Sequence, residues 1–392
     1  MKIFRLAFGA FLLTAGIAAL HAQEGQAPQE EIITDFGIDE YIYTPKLTLS
    51  LGIRGISGAK ASFTGHGTIV STQPYADITT PNLLRTYADG IVAGDTRTII
   101  DADGNAAPIN PDGFTNSWSY LYTGQVQPDG NLAFHSYTAS IADPGLRQEK
   151  LDQNEGVEVV VAKDMGNLTK KLSWKLFAGL SLNEINTNRT ENLASTITTI
   201  TDYYSLNGQT APMPPYAGPS TSTVAVTNSD GSVSNPTVDN TTLLGNTPLG
   251  RTTTVTSGVV SDHWRVKGGY FTLRAGPSIS YAITEKLKAT VSAGAALVFA
   301  GSTYSVDEIY TPAVGNGIID TVDNTTEKLL PGYYADATLE YEVTDRAGAY
   351  AGAVYQSNGS YDQNISTPDA NYATKVDLST LSGFRMGMNY RF

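Results

Sequence analysis

The chain has no cysteine among its 392 residues, only four histidines and three tryptophans, and only 16% charged residues. Each shortage excludes something. Without cysteine there is no disulfide framework and no lipid-anchored cysteine behind a leader, which suits an exported chain that avoids unwanted oxidation. Basic residues are also scarce. Lys and Arg total 25 against 38 Asp and Glu, the formal net charge is −13 and the pI about 4.7, which argues against a nucleic-acid partner. Long apolar runs are missing too. Mean hydropathy is −0.15, and after the first twenty residues no stretch approaches the roughly 20 apolar residues that a membrane helix needs. If such a chain spans a membrane it does so as a closed barrel, because only helices and closed barrels satisfy their backbone groups in lipid.

What is present begins with Lys2 and Arg5, an apolar run from Leu6 to Leu20, and His21-Ala22-Gln23. This reads as a secretory signal peptide over 1–22, cut after Ala22. Its removal takes away two basic residues and no acids, leaving a still more acidic mature chain. The acidic segment 23–45 is too short for a plug or a globular domain and is assigned to the periplasm.

From residue 46 onward, segments of alternating polarity recur in pairs. Leu329 to Val343 places Leu329, Pro331, Tyr333, Ala335, Ala337, Leu339, Tyr341 and Val343 on one side, opposite Asp336, Glu340 and Glu342. Phe271, Leu273, Ala275, Pro277, Ile279, Tyr281 and Ile283 oppose Thr272, Arg274, Ser278 and Ser280, and Thr284-Glu285-Lys286 turns the chain into Leu287 to Phe299. Leu47 to Arg54, Val157 to Ala162, Lys171 to Leu182, Ala347 to Tyr361 and the C-terminal segment follow the same scheme. A side-chain period of two is the signature of a strand with one apolar face. The sum is eight strands. Connections near 164–169, 284–286 and 344–346 are short; those near 65–152, 187–263, 307–328 and 362–374 are longer. A soluble β-sandwich also alternates, but six to eight consecutive same-side apolar positions are what a bilayer crossing requires.

The chain ends Arg385-Met386-Gly387-Met388-Asn389-Tyr390-Arg391-Phe392, alternating without a break to a terminal aromatic. Arg385, Gly387, Tyr390 and Phe392 occupy the positions of the insertion signal that closes bacterial outer-membrane β-barrels, and the chain resembles the small eight-stranded members of that group over 46–392. The resemblance implies an all-β fold: a transmembrane antiparallel up-and-down β-barrel of eight strands, or ten, with long extracellular loops and both termini periplasmic. It implies lipid and lipopolysaccharide as surroundings and the barrel-assembly machinery as a partner of the C-terminal strand. Such proteins serve as structural components, adhesins or narrow pores.

On this reading Arg54, Glu158, Lys175, Arg274, Asp336, Glu340, Glu342, Arg385 and Arg391 face the lumen. An eight-stranded barrel is just wide enough for its own side chains, so these charges should pair across a plugged polar core, a lone buried charge being costly. Within the large loops, Ser117 to Thr138 reads as a rim hairpin around Pro128-Asp129-Gly130-Asn131, or else as two further barrel strands. Ser195 to Asp202 and Arg251 to Thr256 read as continuations of barrel strands above the membrane, with a mobile polar centre at 212–250.

Catalytic and metal chemistry find little support. Asp101, Asp103, Asn105 and Asp112 resemble the start of a calcium loop, but Pro108 and Pro111 spoil its flanking helix and an acidic turn is the plainer reading. Sequons at Asn188, Asn240 and Asn324 are expected by chance in so Asn/Thr-rich a chain. The mature chain keeps only His66, His135 and His263, and Asp262 beside His263 is a poor dyad. No cofactor and no enzymatic role are expected. The expected role is the display of extracellular loops for structural or surface interaction, toward a ligand that the sequence does not name. A narrow solute pore is the alternative, and a rim enzyme comes third.

Overall fold

The computed structural model describes residues 46–100, 106–151, 154–223, 225–227, 232–234, 237–239 and 241–392. The expected signal peptide, the 23–45 segment, Asp101 to Asn105 and Asn240 lie outside them. The described chain is almost wholly antiparallel strand. One sheet of thirteen strands dominates, and we number these β1 (Leu47–Ser57), β2 (Lys60–Val70), β3 (Leu132–Ile141), β4 (Arg147–Lys150), β5 (Asn154–Thr169), β6 (Leu172–Tyr204), β7 (Gly250–Ala282), β8 (Leu287–Tyr310), β9 (Ile318–Glu342), β10 (Ala347–Ser357), β11 (Ser360–Ser366), β12 (Ala370–Asp377) and β13 (Leu381–Arg391).

The sheet thus holds more strands than the eight read from the sequence. Hydrogen-bonded pairing runs β1–β13–β10–β9–β8–β7–β6–β5 and returns from β5 to β1, a cycle of eight. The other five branch above it. β2 pairs with β3, β4 and β12, and β12 pairs with β11. Among the described residues no backbone ladder joins β11 to the upper part of β9, so the upper sheet is open along that seam.

Three short turns close the lower end, and all use one device. The hydroxyls of Thr169, Thr284 and Thr344 each accept hydrogen bonds from the backbone N–H groups two and three residues on. This side-chain turn offers the backbone a partner where the ladder stops. At the upper end the connections are shorter than expected. β8 runs to Tyr310 and β9 starts at Ile318, while only three residues separate β11 from β12. The expected loops at 307–328 and 362–374 are therefore mostly strand.

The most informative feature is a change of sidedness along β6, β7, β8 and β9. In their lower parts the outward positions are apolar: Leu176 and Leu180, Leu273 and Ile279, Val291 and Leu297, Leu329 and Leu339 are all exposed. Inward positions there are polar, including Ser181, Thr272, Arg274, Ser278, Thr290, Ser292, Asp336 and Thr338, all buried. Higher up, the outward row reads Glu184, Asn186 and Asn188; Lys267, Arg265 and His263; Thr303, Ser305 and Asp307; Glu327, Thr325 and Asp323. The inward row gains apolar residues on three strands, with Ile185, Leu193 and Ile197 on β6, Val266, Trp264 and Val260 on β7, and Ala300, Tyr304 and Val306 on β8; on β9 it stays polar, with Lys328, Thr326 and Asn324. The last outward apolar residues are ladder partners: Leu182 with Phe271, Phe271 with Phe299, and Phe299 with Leu329. The first outward polar or glycine positions are partners too: Glu184 with Gly269, Gly269 with Gly301, and Gly301 with Glu327. The outward apolar row ends on four strands at one level of the ladder.

At a similar position three strands break. β1 gives way to β2 at Gly58-Ala59, β10 to β11 at Asn358-Gly359, and β12 to β13 at Leu378–Thr380. Gly58 has φ +102°, and a Cβ there would run into the Thr380 carbonyl oxygen; Gly359 has φ +84° with open space around it. Gly58→Ala should therefore cost about 1–3 kcal/mol, and Gly359→Ala about 1 kcal/mol or less, in urea unfolding of the refolded protein. Equal costs at the two sites would refute the close-approach account of Gly58.

Above the sheet, the long connections build a cap. Arg85–Tyr87, Gly90–Val92, Trp118–Tyr120 and Tyr216–Ala217 form a small four-stranded sheet. Tyr87, Trp118, Tyr120, Phe134, Tyr204 and Leu244 are buried under it in a cluster separate from the main core. Here the hairpin expected at 117–138 is corrected. Its turn exists, with Gln127 N–H bonded to the Asn131 carbonyl at 2.8 Å. The incoming arm, however, pairs within the cap, and the outgoing arm is β3, which joins β6 and β2 in the main sheet. Beyond that turn the two arms are joined by the Val126–Leu132 bridge and by Gln125 Nε2 donating to the Ala133 carbonyl at 3.3 Å. The continuation of strands through 195–202 and 251–256 is present, since β6 and β7 are 33 residues each and pair up to Tyr203–Gly250.

Candidate functional site

The interior of the eight-strand cycle gathers most of the charged residues read from the alternation. Glu158 on β5 is the hub. Its Oε2 accepts from Arg274 on β7 at 2.6 Å, and its Oε1 accepts from Arg385 on β13 at 2.7 Å and from the Tyr350 hydroxyl at 2.8 Å. Arg385 also reaches Asp336 on β9 at 3.0 Å, and Asp336 accepts from Tyr334. The guanidinium groups lie over rings, Arg274 at 4.5 Å from Tyr334 and Arg385 at 4.9 Å from Tyr350. Arg54 stands apart from this hub. It donates to Ser181 Oγ at 2.6 Å and to Gln356 Oε1 at 3.0 Å, with no carboxylate partner among the described residues. A second group sits nearer the short turns. Glu342 pairs with Arg391 at 2.5 Å and with Lys288 at 2.6 Å, Lys288 being absent from the sequence-derived set. Lys175 lies 4.0 Å from Glu340, which accepts from the Thr290 hydroxyl at 3.0 Å.

Glycine makes room for this network. Gly52 on β1 faces Gly387 on β13 across the ladder, and a Cβ on either would collide with the Tyr350 hydroxyl or a neighbouring carbonyl. Gly387 thus admits the ring that caps Glu158. Tyr390 and Phe392 point outward, exposed, with ring centroids 5.0 Å apart. The ends of the ring are tied by Phe392 N–H to the Leu47 carbonyl at 2.8 Å.

The space left between these side chains is a cavity of about 50 Å³ lined by Lys175, Phe177, Arg274, Asp336, Tyr350 and Arg385, among others. That volume holds a few water molecules. Above it the interior is not polar, which corrects the expected all-polar lumen. Phe63 lies 6.0 Å from both Trp264 and Tyr304 in stacked geometry, among Val260, Val266 and Val306, all buried. In that apolar chamber stand two carboxyl groups, Asp262 and Glu308, register partners on β7 and β8 and almost fully buried. Both contact the Tyr372 hydroxyl of β12, at 2.9 Å and 2.5 Å.

Asp262 and His263 fall on opposite faces. His263 points outward, 3.8 Å from Asp307, so the dyad considered from adjacency does not form. His66 is exposed on β2. His135 is the better-placed histidine: Asp89, itself buried, holds its Nδ1 at 2.6 Å and its backbone N–H at 2.8 Å. Sequence gave no signal for this pair, because Asp89 and His135 are 46 residues apart and meet through the cap. Among the described residues no group of three or more His, Cys, Asp or Glu is arranged to hold a metal ion.

No protein-family model matches the chain, and no curated protein matches it. Among solved structures, the outer membrane protease OmpT from Escherichia coli aligns at 10% identity over 89% of this chain and 98% of that one, with a TM-score of 0.27. The attachment invasion locus protein Ail of Yersinia pestis aligns at 8% identity over 84% and 98%, TM-score 0.19. A Pseudomonas aeruginosa FadL homologue aligns at 9% over 88% and 90%, TM-score 0.16. Likeness at these scores does not establish a shared fold.

Proposed function

We propose that this chain is a bacterial outer-membrane β-barrel whose eight-strand cycle crosses the lipid and whose upper strands and cap stand outside the cell. One observation carries the reading, the end of the outward apolar row at a single ladder level on β6 to β9. A protein wholly in water has no reason to expose Leu273, Ile279, Val291, Leu297 and Leu339 around buried Arg, Glu and Asp, then to end that outward apolar row on four neighbouring strands at one ladder level. Leu172 to Leu182 on β6 matches the roughly 9–11 residues that a tilted strand needs to cross hydrocarbon. Both chain ends and the three short turns then lie on the periplasmic side.

The role we infer is non-enzymatic: a closed barrel that raises the cap above the membrane for surface interaction, surrounded by lipid and lipopolysaccharide and assembled through its C-terminal strand. Support for closure comes from the ion-paired lower interior and the packed apolar chamber above it. The test is membrane fractionation with protease shaving of intact cells. Cleavage is expected in the cap segments 71–131 and 205–249, with the turns at Thr169, Thr284 and Thr344 spared. Cutting at those turns in intact cells, or a stable water-soluble monomer made without detergent, would overturn the reading. Stepwise conductance in planar bilayers would overturn the closed interior and favour a narrow pore.

A further inference from the structure

The Asp262–Glu308–Tyr372 contact poses a counting problem. Two hydrogen bonds join three oxygen groups, yet the phenol supplies one hydrogen. A second hydrogen bond at the phenol oxygen requires a hydrogen carried by one of the carboxyl groups. Among the described residues neither acid belongs to an ion pair, and the charged groups acting on Glu308 from neighbouring elements, Asp262 on β7, Asp320 on β9 and Asp369 ahead of β12, are all acidic. Asp262 Oδ1 and the buried Tyr304 hydroxyl each have no hydrogen-bond partner among the described residues. The site is a two-acid, one-proton arrangement sealed by Trp264, Val260 and Val306.

Its position gives that proton a mechanical consequence. β2, β11 and β12 form a flap that breaks from the lower cycle at Gly58, Gly359 and Ser379. β2 is laddered to β3 and β4, while β11 meets the upper part of β9 with no backbone ladder among the described residues, through Asn324 Nδ2 donating to the Asn364 carbonyl at 2.7 Å. What ties the flap to the β7–β8 wall is side-chain bonding: Tyr372 to Asp262 and Glu308, Tyr361 to Ser302 at 2.7 Å, and Gln363 to the Ser302 carbonyl at 2.9 Å. Gly67 of β2 leaves the space that Glu308 occupies.

We propose that Asp262, Glu308 and Tyr372 form a proton-operated latch, which holds the β2–β11–β12 flap against the wall while one carboxyl is protonated and releases it when both are ionised. Burial pushes the Glu308 carboxyl up to about 7, with Asp262, Asp320 and Asp369 adding to the rise and the Tyr372 hydrogen bond opposing it. Burial likewise lifts Asp262 to about 6. The folded values are raised, so the latch contributes fully below the ordinary carboxylate range and its contribution is lost as pH rises through about 7. The two anions would then share one phenolic hydrogen in an apolar chamber, and the flap, with no ladder at the seam, is the part free to move.

The experiment is amide hydrogen exchange on residues 360–377 of the refolded full-length protein at pH 6 and pH 8, corrected for intrinsic base catalysis. Protection in the wild type should fall by a factor on the order of ten per pH unit up to about pH 7, where the folded pair loses its last proton, and level off above it, the linkage expected for one proton. Glu308→Gln keeps the shape and cannot lose the proton, so its protection should not vary with pH; Asp262→Asn should behave alike. Wild-type protection that is flat after correction refutes the latch, as does a pH-dependent loss that survives in both variants. Should the variants fail to fold, the infrared carbonyl band of a buried protonated carboxyl decides. Its presence at pH 6 and loss at pH 8 in the wild type, in step with exchange, supports the latch, and its absence at pH 6 refutes it.

Discussion

Glu158→Gln is expected to lower the stability of the refolded barrel by about 3–5 kcal/mol, the cost of leaving a buried charge without its partner. Glu158 is the only carboxylate that touches Arg274 among the described residues, and the Arg274 side chain is 1% exposed. Asp336 still neutralises Arg385 in the variant, so the uncompensated charge falls on Arg274, which keeps only the Tyr334 ring. Urea unfolding in lipid vesicles, followed by tryptophan fluorescence, measures the loss. A double variant, Glu158→Gln with Arg274→Gln, removes both charges and should recover much of it, because the penalty belongs to the unpaired ion and not to the absent bond. If Glu158→Gln alone stays within about 0.5 kcal/mol of wild type, the hub role assigned to Glu158 is wrong.

The second large effect separates lipid from water. Ala275 sits near the middle of the outward apolar band, exposed, with Ala178 and Ala295 as ladder partners. Ala275→Arg should cost about 2–4 kcal/mol, the penalty for a cation at the bilayer midplane on the lipid face of a barrel. Asn192→Arg, on the outward face of the same sheet but above the polarity reversal, should change stability by less than about 0.5 kcal/mol. Both sites are exposed strand positions, so a protein surrounded by water would tolerate the two alike. A difference below about 1 kcal/mol between them would remove the membrane from the account.

The lower halves of the strands were legible because their outward faces stay apolar for six or more alternate positions, as in Phe271 to Tyr281 and Leu287 to Phe299. Their upper halves were read as loop for a related reason. Gly250 to Tyr270 keeps the period of two, but its apolar residues Val260, Trp264 and Val266 move to the opposite face, so a search for one continuous greasy side stops at Phe271. The short Thr-led turns carried a visible signal in Thr-x-x followed by an apolar residue at 169–172, 284–287 and 344–347. The seam beside β11 carried none, because it is a property of ladders that fail to form. The hairpin reading of 117–138 found a real turn and the wrong partners, since an alternating arm specifies a strand and not the strand it pairs with.

Residue order alone therefore marked the lower halves of the strands and the tight reversals between them, and set Arg54, Glu158, Lys175, Arg274, Asp336, Glu340, Glu342, Arg385 and Arg391 on the polar side of their strands. Alternation is local, and a strand's two faces follow from the geometry of its own backbone. Only the tertiary structure decided that Glu158 meets Arg274 and Arg385 across 116 and 227 residues of chain, while Arg54 pairs with no acid among the described residues. It alone joined Asp262 and Glu308 through Tyr372 and held His135 with Asp89. Those contacts depend on register and closure, which are set by all the ladders together and are written in no single segment.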